Sequence, residues 1–193
     1  MELVAVAVIS AKLIASCLIL ASQTYNVPAA AMIGIMHVEG GHVGQQVLNT
    51  NGSYDLGPMQ VNTLWLPQLS RLWKVDVNTA HIWVRDNGCV NVYVAAWILR
   101  QKIDQTAGLY SGIARYHSGT GWRGDRYAKR VLAVMERKGL VTRGPSTHVP
   151  SVHVPSTHVP STHVPSIEQR AAPIRTAART DSEDFRLKII KEE

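Results

Sequence analysis

Glu39 closes an apolar run. Ala31, Met32, Ile35, Met36 and Val38 precede it at helical spacing, and Gly40-Gly41 follows. Pro28 suits the first turn of the helix this spacing predicts, because an amide lost there has no partner to lose. Glycines after the last periodic residue end it. A carboxyl group at that point has two readings. It is a solvated last-turn glutamate, or one satisfied by nearby amides. Alternatively it is a general acid. An apolar wall disfavours the carboxylate, and the negative end of the helix dipole pushes the same way, so the group stays protonated near neutral pH. A second concentration of chemistry follows at Tyr54-Asp55-Leu56-Gly57-Pro58-Met59-Gln60-Val61-Asn62. Gln60 and Asn62 bring amide donors and acceptors. Asp55 is either a second carboxylate or a support for the turn before Gly57, since Asp readily bonds nearby backbone amides.

These segments, with Asn49-Thr50-Asn51-Gly52-Ser53 between them, resemble the lytic transglycosylases that carry a lysozyme-like domain. In that family a catalytic Glu ends a helix and a Gly-Leu-Met-Gln motif follows. The motif stands here as Gly57-Pro58-Met59-Gln60. The Ser usual after the Glu is Gly40, and the motif's Leu is Pro58. A third element, Ala114-Arg115-Tyr116-His117-Ser118, stands where the family carries Ala-Tyr-Asn-Ala-Gly; Tyr116 matches the Tyr and His117 replaces the Asn. Tyr-His-Ser and Glu39-Gly40-Gly41 are similar to the branch that serves conjugation and type IV secretion machines.

The resemblance implies a mainly α, lysozyme-like domain with a small hairpin lobe, acting on peptidoglycan glycan strands. Glu39 would be the one catalytic group. Gly57, Met59, Gln60, Asn62, Tyr116 and His117 would meet the substrate, with the Tyr116 hydroxyl on Glu39 or a nearby sugar. No cofactor and no metal are implied. His37 and His42 flank Glu39 at a spacing that matches no zinc motif. A periplasmic location is implied, with the wall opened for a secretion, conjugation or pilus apparatus that the C-terminal tail would contact. Two alternatives stay open. One is a hydrolytic muramidase using Glu39 and Asp55. The other is a non-catalytic wall-binding scaffold on the same fold.

The chain has 193 residues, enough for one domain with a core plus appendages. Hydrophobic residues make up 46%, as in an ordinary globular protein. A net charge of +6 is either a generic basic surface or an attraction to an anionic polymer, and no nucleic-acid fold signature accompanies it. Cys17 and Cys89 are two buried thiols in a reducing compartment, or one disulfide in an exported protein. The resemblance favours the bridge. Residues 1–11 form a possible export segment, apolar from Leu3 to Ala11 but with Glu2 where a positive charge is expected. Ile14-Ala15-Ser16-Cys17 also resembles a lipoprotein cleavage box.

The elements that must position these groups can be read in order. Lys12 to Tyr25 reads as a helix with Leu13, Ile14, Cys17, Leu18 and Ala21 on one face. Asn51-Gly52 signals a tight turn in a hairpin or irregular lobe. Thr63 to Trp73 reads as a short helix disturbed by Pro67, and Val75 to Asp86 is mixed. Asn87-Gly88 marks a turn. Val90 to Ile103, Gly108 to Ser118 and Arg126 to Lys138 read as helices, the last amphipathic and stopped by Gly139. Trp65, Trp73, Trp83, Trp97 and Trp122 could each stack on a sugar face, though most read as core; Trp122 after Gly119-Thr120-Gly121 is the best candidate for a cleft rim. The domain expected over 12–140 gives way at 141–166 to a Pro-Ser-Thr-His-Val repeat. That repeat is expected to be an extended linker, in which His148, His153, His158 and His163 would lack a preorganised site. Residues 167–193 form a charged tail, expected to be disordered.

Overall fold

The computed structural model describes residues 2–142, with side chains from residue 12 onward. The histidine-bearing repeat and the charged tail lie outside the described residues. The described chain is mainly α. Its elements are α1 (Glu2–Thr24), α2 (Ala29–Glu39), β1 (Gln46–Leu48), β2 (Tyr54–Leu56), β3 (Val61–Asn62), a 3-10 turn (Thr63–Trp65), α3 (Leu66–Trp73), α4 (Val77–Asp86), α5 (Gly88–Asp104), α6 (Leu109–His117) and α7 (Gly121–Arg137).

Helix α5 is the axis. Val90, Asn91, Val92, Tyr93, Val94, Ala95 and Ala96 are buried in succession, so no face of this stretch meets water. A helix apolar all round belongs inside, and α1, α4 and α6 pack against it. Helix α2 lies across α7, which also packs on α6. The three strands form an antiparallel sheet in the order β1-β2-β3, with Asp55 opposite Asn62.

Several boundaries differ from the sequence reading, each for a local reason. α1 is continuous from Glu2 and crosses the boundary expected at residue 12. Cys17, Leu18 and Ala21 are buried as expected, but Leu13 is 58% exposed. The mixed segment after Val75 is a helix capped by Asp76, whose carboxylate accepts the Thr79 amide. Asn87-Gly88 is not a turn. Asn87 Oδ1 accepts the amides of Cys89 and Val90 and starts α5 at Gly88. Pro67 sits in the first turn of α3, where it costs the helix nothing. α7 starts at Gly121, five residues before Arg126, so Trp122 lies in its first turn.

Cys17 and Cys89 form a disulfide joining α1 to the first turn of α5. Cys17, which also ends the segment that resembles a lipoprotein box, is therefore buried in a helix with its sulfur engaged. No described helix is long and apolar enough to cross a membrane.

Asn91 ties the lobe to the axis. Its side chain is fully buried. Nδ2 donates to the Leu56 carbonyl at 2.8 Å and the Val84 carbonyl at 2.9 Å. Oδ1 accepts the Met59 amide at 2.8 Å. Asn91→Ala strands two carbonyls and one amide in the interior. It should cost about 3 kcal/mol, read as a drop in the urea midpoint at unchanged slope.

Candidate active site

The end of α2 presents Glu39 to a cavity of about 480 Å³ between the sheet lobe and the helices. Two adjacent glycines make that placement possible, for different reasons. Gly40 caps α2 in the left-handed conformation at φ +64°. Gly41 is needed for space, since a Cβ there would lie 2.2 Å from the Gly57 carbonyl oxygen and 2.6 Å from Gln60 Nε2. The Gly57–Gln60 turn therefore presses directly on the chain leaving Glu39.

Glu39 is partly buried, and its pKa is pushed up to about 7. Desolvation is the main cause, and the charge of Asp55 adds to it. Two effects oppose the rise. The Tyr127 hydroxyl donates to Glu39 Oε1 at 2.6 Å, and the Arg130 guanidinium lies near enough to favour the carboxylate. The group is thus an acid balanced close to neutrality, as a proton donor working near pH 7 requires.

Tyr127 comes from α7 and is buried. Sequence reasoning missed it. The only signal was one aromatic in the apolar stripe of the last helix, with Ala128, Val131, Val134 and Met135, and that stripe reads as core. For Tyr116 the expectation is a hydroxyl on Glu39 or on a nearby sugar, and Glu39 is not its partner. The Tyr116 hydroxyl instead donates to the Met59 carbonyl at 3.0 Å, although its ring lines the cavity. Burial and the nearby Glu39 and Asp55 charges hold its phenol well above the usual range, so it remains a neutral donor. His117 lines the cavity and stacks on Tyr127, ring centroids 4.4 Å apart and planes 4° from parallel. Burial lowers its pKa, and Arg130 and Arg123 push the same way, so the imidazole is neutral at pH 7.

The remaining expected site residues divide. Gln60 and Asn62 line the cavity. Gln60 holds φ +48° and donates Nε2 to the Gly57 carbonyl at 2.8 Å, which closes the turn and leaves Oε1 available. Asn62 donates to Ser53 Oγ and to Asp55 Oδ1 at 2.7 Å, while its own Oδ1 accepts the Leu64 amide. Gly57 and Met59 do not line the cavity. Met59 is fully buried and Gly57 lies against the Asn91 amide, so both shape the turn from beneath. Asp55 lines the cavity and is held by the Asn62 side chain rather than by backbone amides. Trp65 lines it too, packed edge-on against Trp97 at 5.5 Å. Trp122, expected at the rim, is 64% exposed outside it, while its neighbour Arg123 lines the wall. Among the described residues, no cluster of His, Cys, Asp and Glu is gathered that could hold a metal.

One consequence of the Tyr127 contact can be measured. A hydrogen bond to the ionised form lowers a carboxyl pKa. Tyr127→Phe removes it at little cost in packing. Glu39 should then titrate above the wild-type value of about 7, read as an alkaline displacement of its carboxyl NMR shift.

No protein-family model and no curated protein matches this chain.

Proposed function

We propose that the chain is a peptidoglycan lytic transglycosylase with a lysozyme-like domain. It would cleave the β-1,4 bond between N-acetylmuramic acid and N-acetylglucosamine and leave a 1,6-anhydro end. The observation that carries this reading is the Glu39 carboxyl group, held near pKa 7 by burial, at the wall of an amide-rich cavity. Cavities that select acetamido sugars need amide and hydroxyl partners, and Gln60, Asn62, Asn49, Asn51 and Ser53 supply them. Trp65 offers a ring face or edge to a sugar.

The chemistry follows from one proton. Glu39 gives its proton to the bridging oxygen as the bond from that oxygen to the anomeric carbon breaks. The substrate's acetamido oxygen shares its electrons with the positive carbon. Glu39, now a carboxylate, takes the proton of the sugar's own 6-hydroxyl, whose oxygen closes on the anomeric carbon. The proton is thereby restored to Glu39. An internal nucleophile requires no positioned water and gains the advantage of an intramolecular step. Tyr127 steadies the carboxylate between the two halves, and His117 stacked on Tyr127 holds that ring.

Asp55 favours a second reading. It lines the same cavity and its charge raises the Glu39 pKa, as in paired-carboxylate hydrolases. Mass spectrometry of digested wall separates the two, because anhydro ends weigh one water less than reducing ends. Anhydro products support the transglycosylase, and reducing ends support the hydrolase. A wall left intact leaves only the non-catalytic scaffold. The disulfide is consistent with an oxidising compartment, and we assign the protein to the periplasm. There it would open the wall for a secretion, conjugation or pilus apparatus.

A further inference from the structure

Helix α7 carries four arginines that the reaction above does not use as acids or bases: Arg123, Arg126, Arg130 and Arg137. Their spacing of three, four and seven residues gathers them within an arc of about 60° on the helix, in a stripe about 21 Å long at 1.5 Å per residue. All four are exposed. The ion pairs formed among the described residues join Arg85 to Asp86, Arg100 to Asp104 and Lys129 to Asp125, and none engages the stripe. Asp125 of this helix lies off the stripe and is held by Lys129 and Tyr110. The stripe begins in the cavity wall, where Arg123 is a lining residue with its guanidinium 5.3 Å from the Trp122 ring. Its third member, Arg130, acts electrostatically on Glu39 and His117.

Four guanidinium groups without an ion-pair partner among the described residues, aligned along α7 from Arg123 in the cavity wall, form a track for an anionic polymer. Arginine is suited to carboxylates, which it grips with two parallel hydrogen bonds. We infer that this track binds the stem-peptide carboxylates of the glycan strand whose sugars occupy the cavity. The inference rests on the proposed function for its choice of polymer. The stripe starts at Arg123 in the cavity wall and continues along α7, so a polymer held at Glu39 can carry acidic side branches along this helix. Arg123 would then read the branch on the sugar being cleaved, and Arg126 and Arg137 the branches further out.

The test uses the full chain with Glu39→Gln, so that binding is read without cleavage. Co-sedimentation is measured with intact peptidoglycan and with peptidoglycan stripped of its stem peptides by an amidase. Arg126→Gln/Arg137→Gln, two exposed positions outside the cavity, should weaken binding to peptide-bearing wall about tenfold and flatten its salt dependence, as loss of peripheral charge pairs does. Binding to stripped strands should not change. Equal loss on both walls, or no loss on either, overturns the inference. So does tighter stripe-dependent binding to duplex DNA or to anionic lipid vesicles than to wall. Fragment release by the wild type is recorded in parallel. If no fragments appear while binding still depends on the stripe, the enzyme reading fails and the track stands. If fragments appear and the stripe variants bind as the parent does, the track fails alone.

Discussion

Glu39→Gln should abolish fragment release and at the same time make the protein more stable at pH 8. The loss of activity should be about 10³-fold or greater, since one group supplies both the acid and the base step. The gain in stability follows from linkage. Burial raises the Glu39 pKa from 4.5 to about 7, so the folded protein holds a proton that the unfolded chain has released. A raised pKa contributes stability that is fully present below pH 4.5 and is lost as pH climbs to about 7. Across that window the native state loses about 3 kcal/mol, at 1.4 kcal/mol per unit. Gln carries no charge at any pH and can still accept the Tyr127 hydroxyl. The variant's advantage should therefore be small at pH 4.5, grow to about 3 kcal/mol by pH 7 and stay constant above it. Urea titrations of both proteins at pH 4.5 and 8 give the difference directly. The same pKa sets the wild-type profile. Only enzyme with protonated Glu39 can begin turnover, so kcat/KM should fall above pH 7. A variant that still releases anhydro fragments, or gains no stability at pH 8, would remove Glu39 from the mechanism.

Legibility in the sequence followed the physics of each signal. Helix α2, its end at Glu39 and its stop at Gly40 were readable because periodicity, a proline and a glycine all agree there. Helix α5 was readable from an apolar stretch too long for a strand. What escaped was side-chain direction. Gly57, Met59, Gln60 and Asn62 stand within six residues, yet only Gln60 and Asn62 face the cavity. A tight turn with Gln60 at positive φ sends neighbours to opposite sides, and no periodicity records it. Tyr127 and Asn91 escaped for complementary reasons. Each looks ordinary in its own helix, and each owes its role to a segment far away: 88 residues for Tyr127 and Glu39, 32 for Asn91 and Met59. The arginine stripe was present in the sequence at helical spacing. It gained meaning only when α7 was seen to begin at Gly121, which carries the stripe back to Arg123 in the cavity wall.

Removing the Cys17–Cys89 bridge should be the most destabilising change away from Glu39. The bond spans 72 residues, and a loop of that length withholds chain entropy worth about 4 kcal/mol from the unfolded state. That is a large share of what a domain of this size typically has to spare. Cys17→Ala/Cys89→Ala and the reduced wild type should lose the same amount, read from urea midpoints under matched conditions. The bridge also reaches the site. Cys89 lies in the first turn of α5, two residues before Asn91, whose amide holds the Met59 segment. If the bond anchors that turn in the native state, and does not act only on the unfolded chain, its loss should free the Gly57–Gln60 turn before the rest of the domain. Amide exchange then gives a sharp reading: Met59 should exchange faster than Leu99, deep in the same core, by more than the global change accounts for. Uniform acceleration of all core amides would mean that the bridge acts on the unfolded chain alone and leaves the cavity as it was.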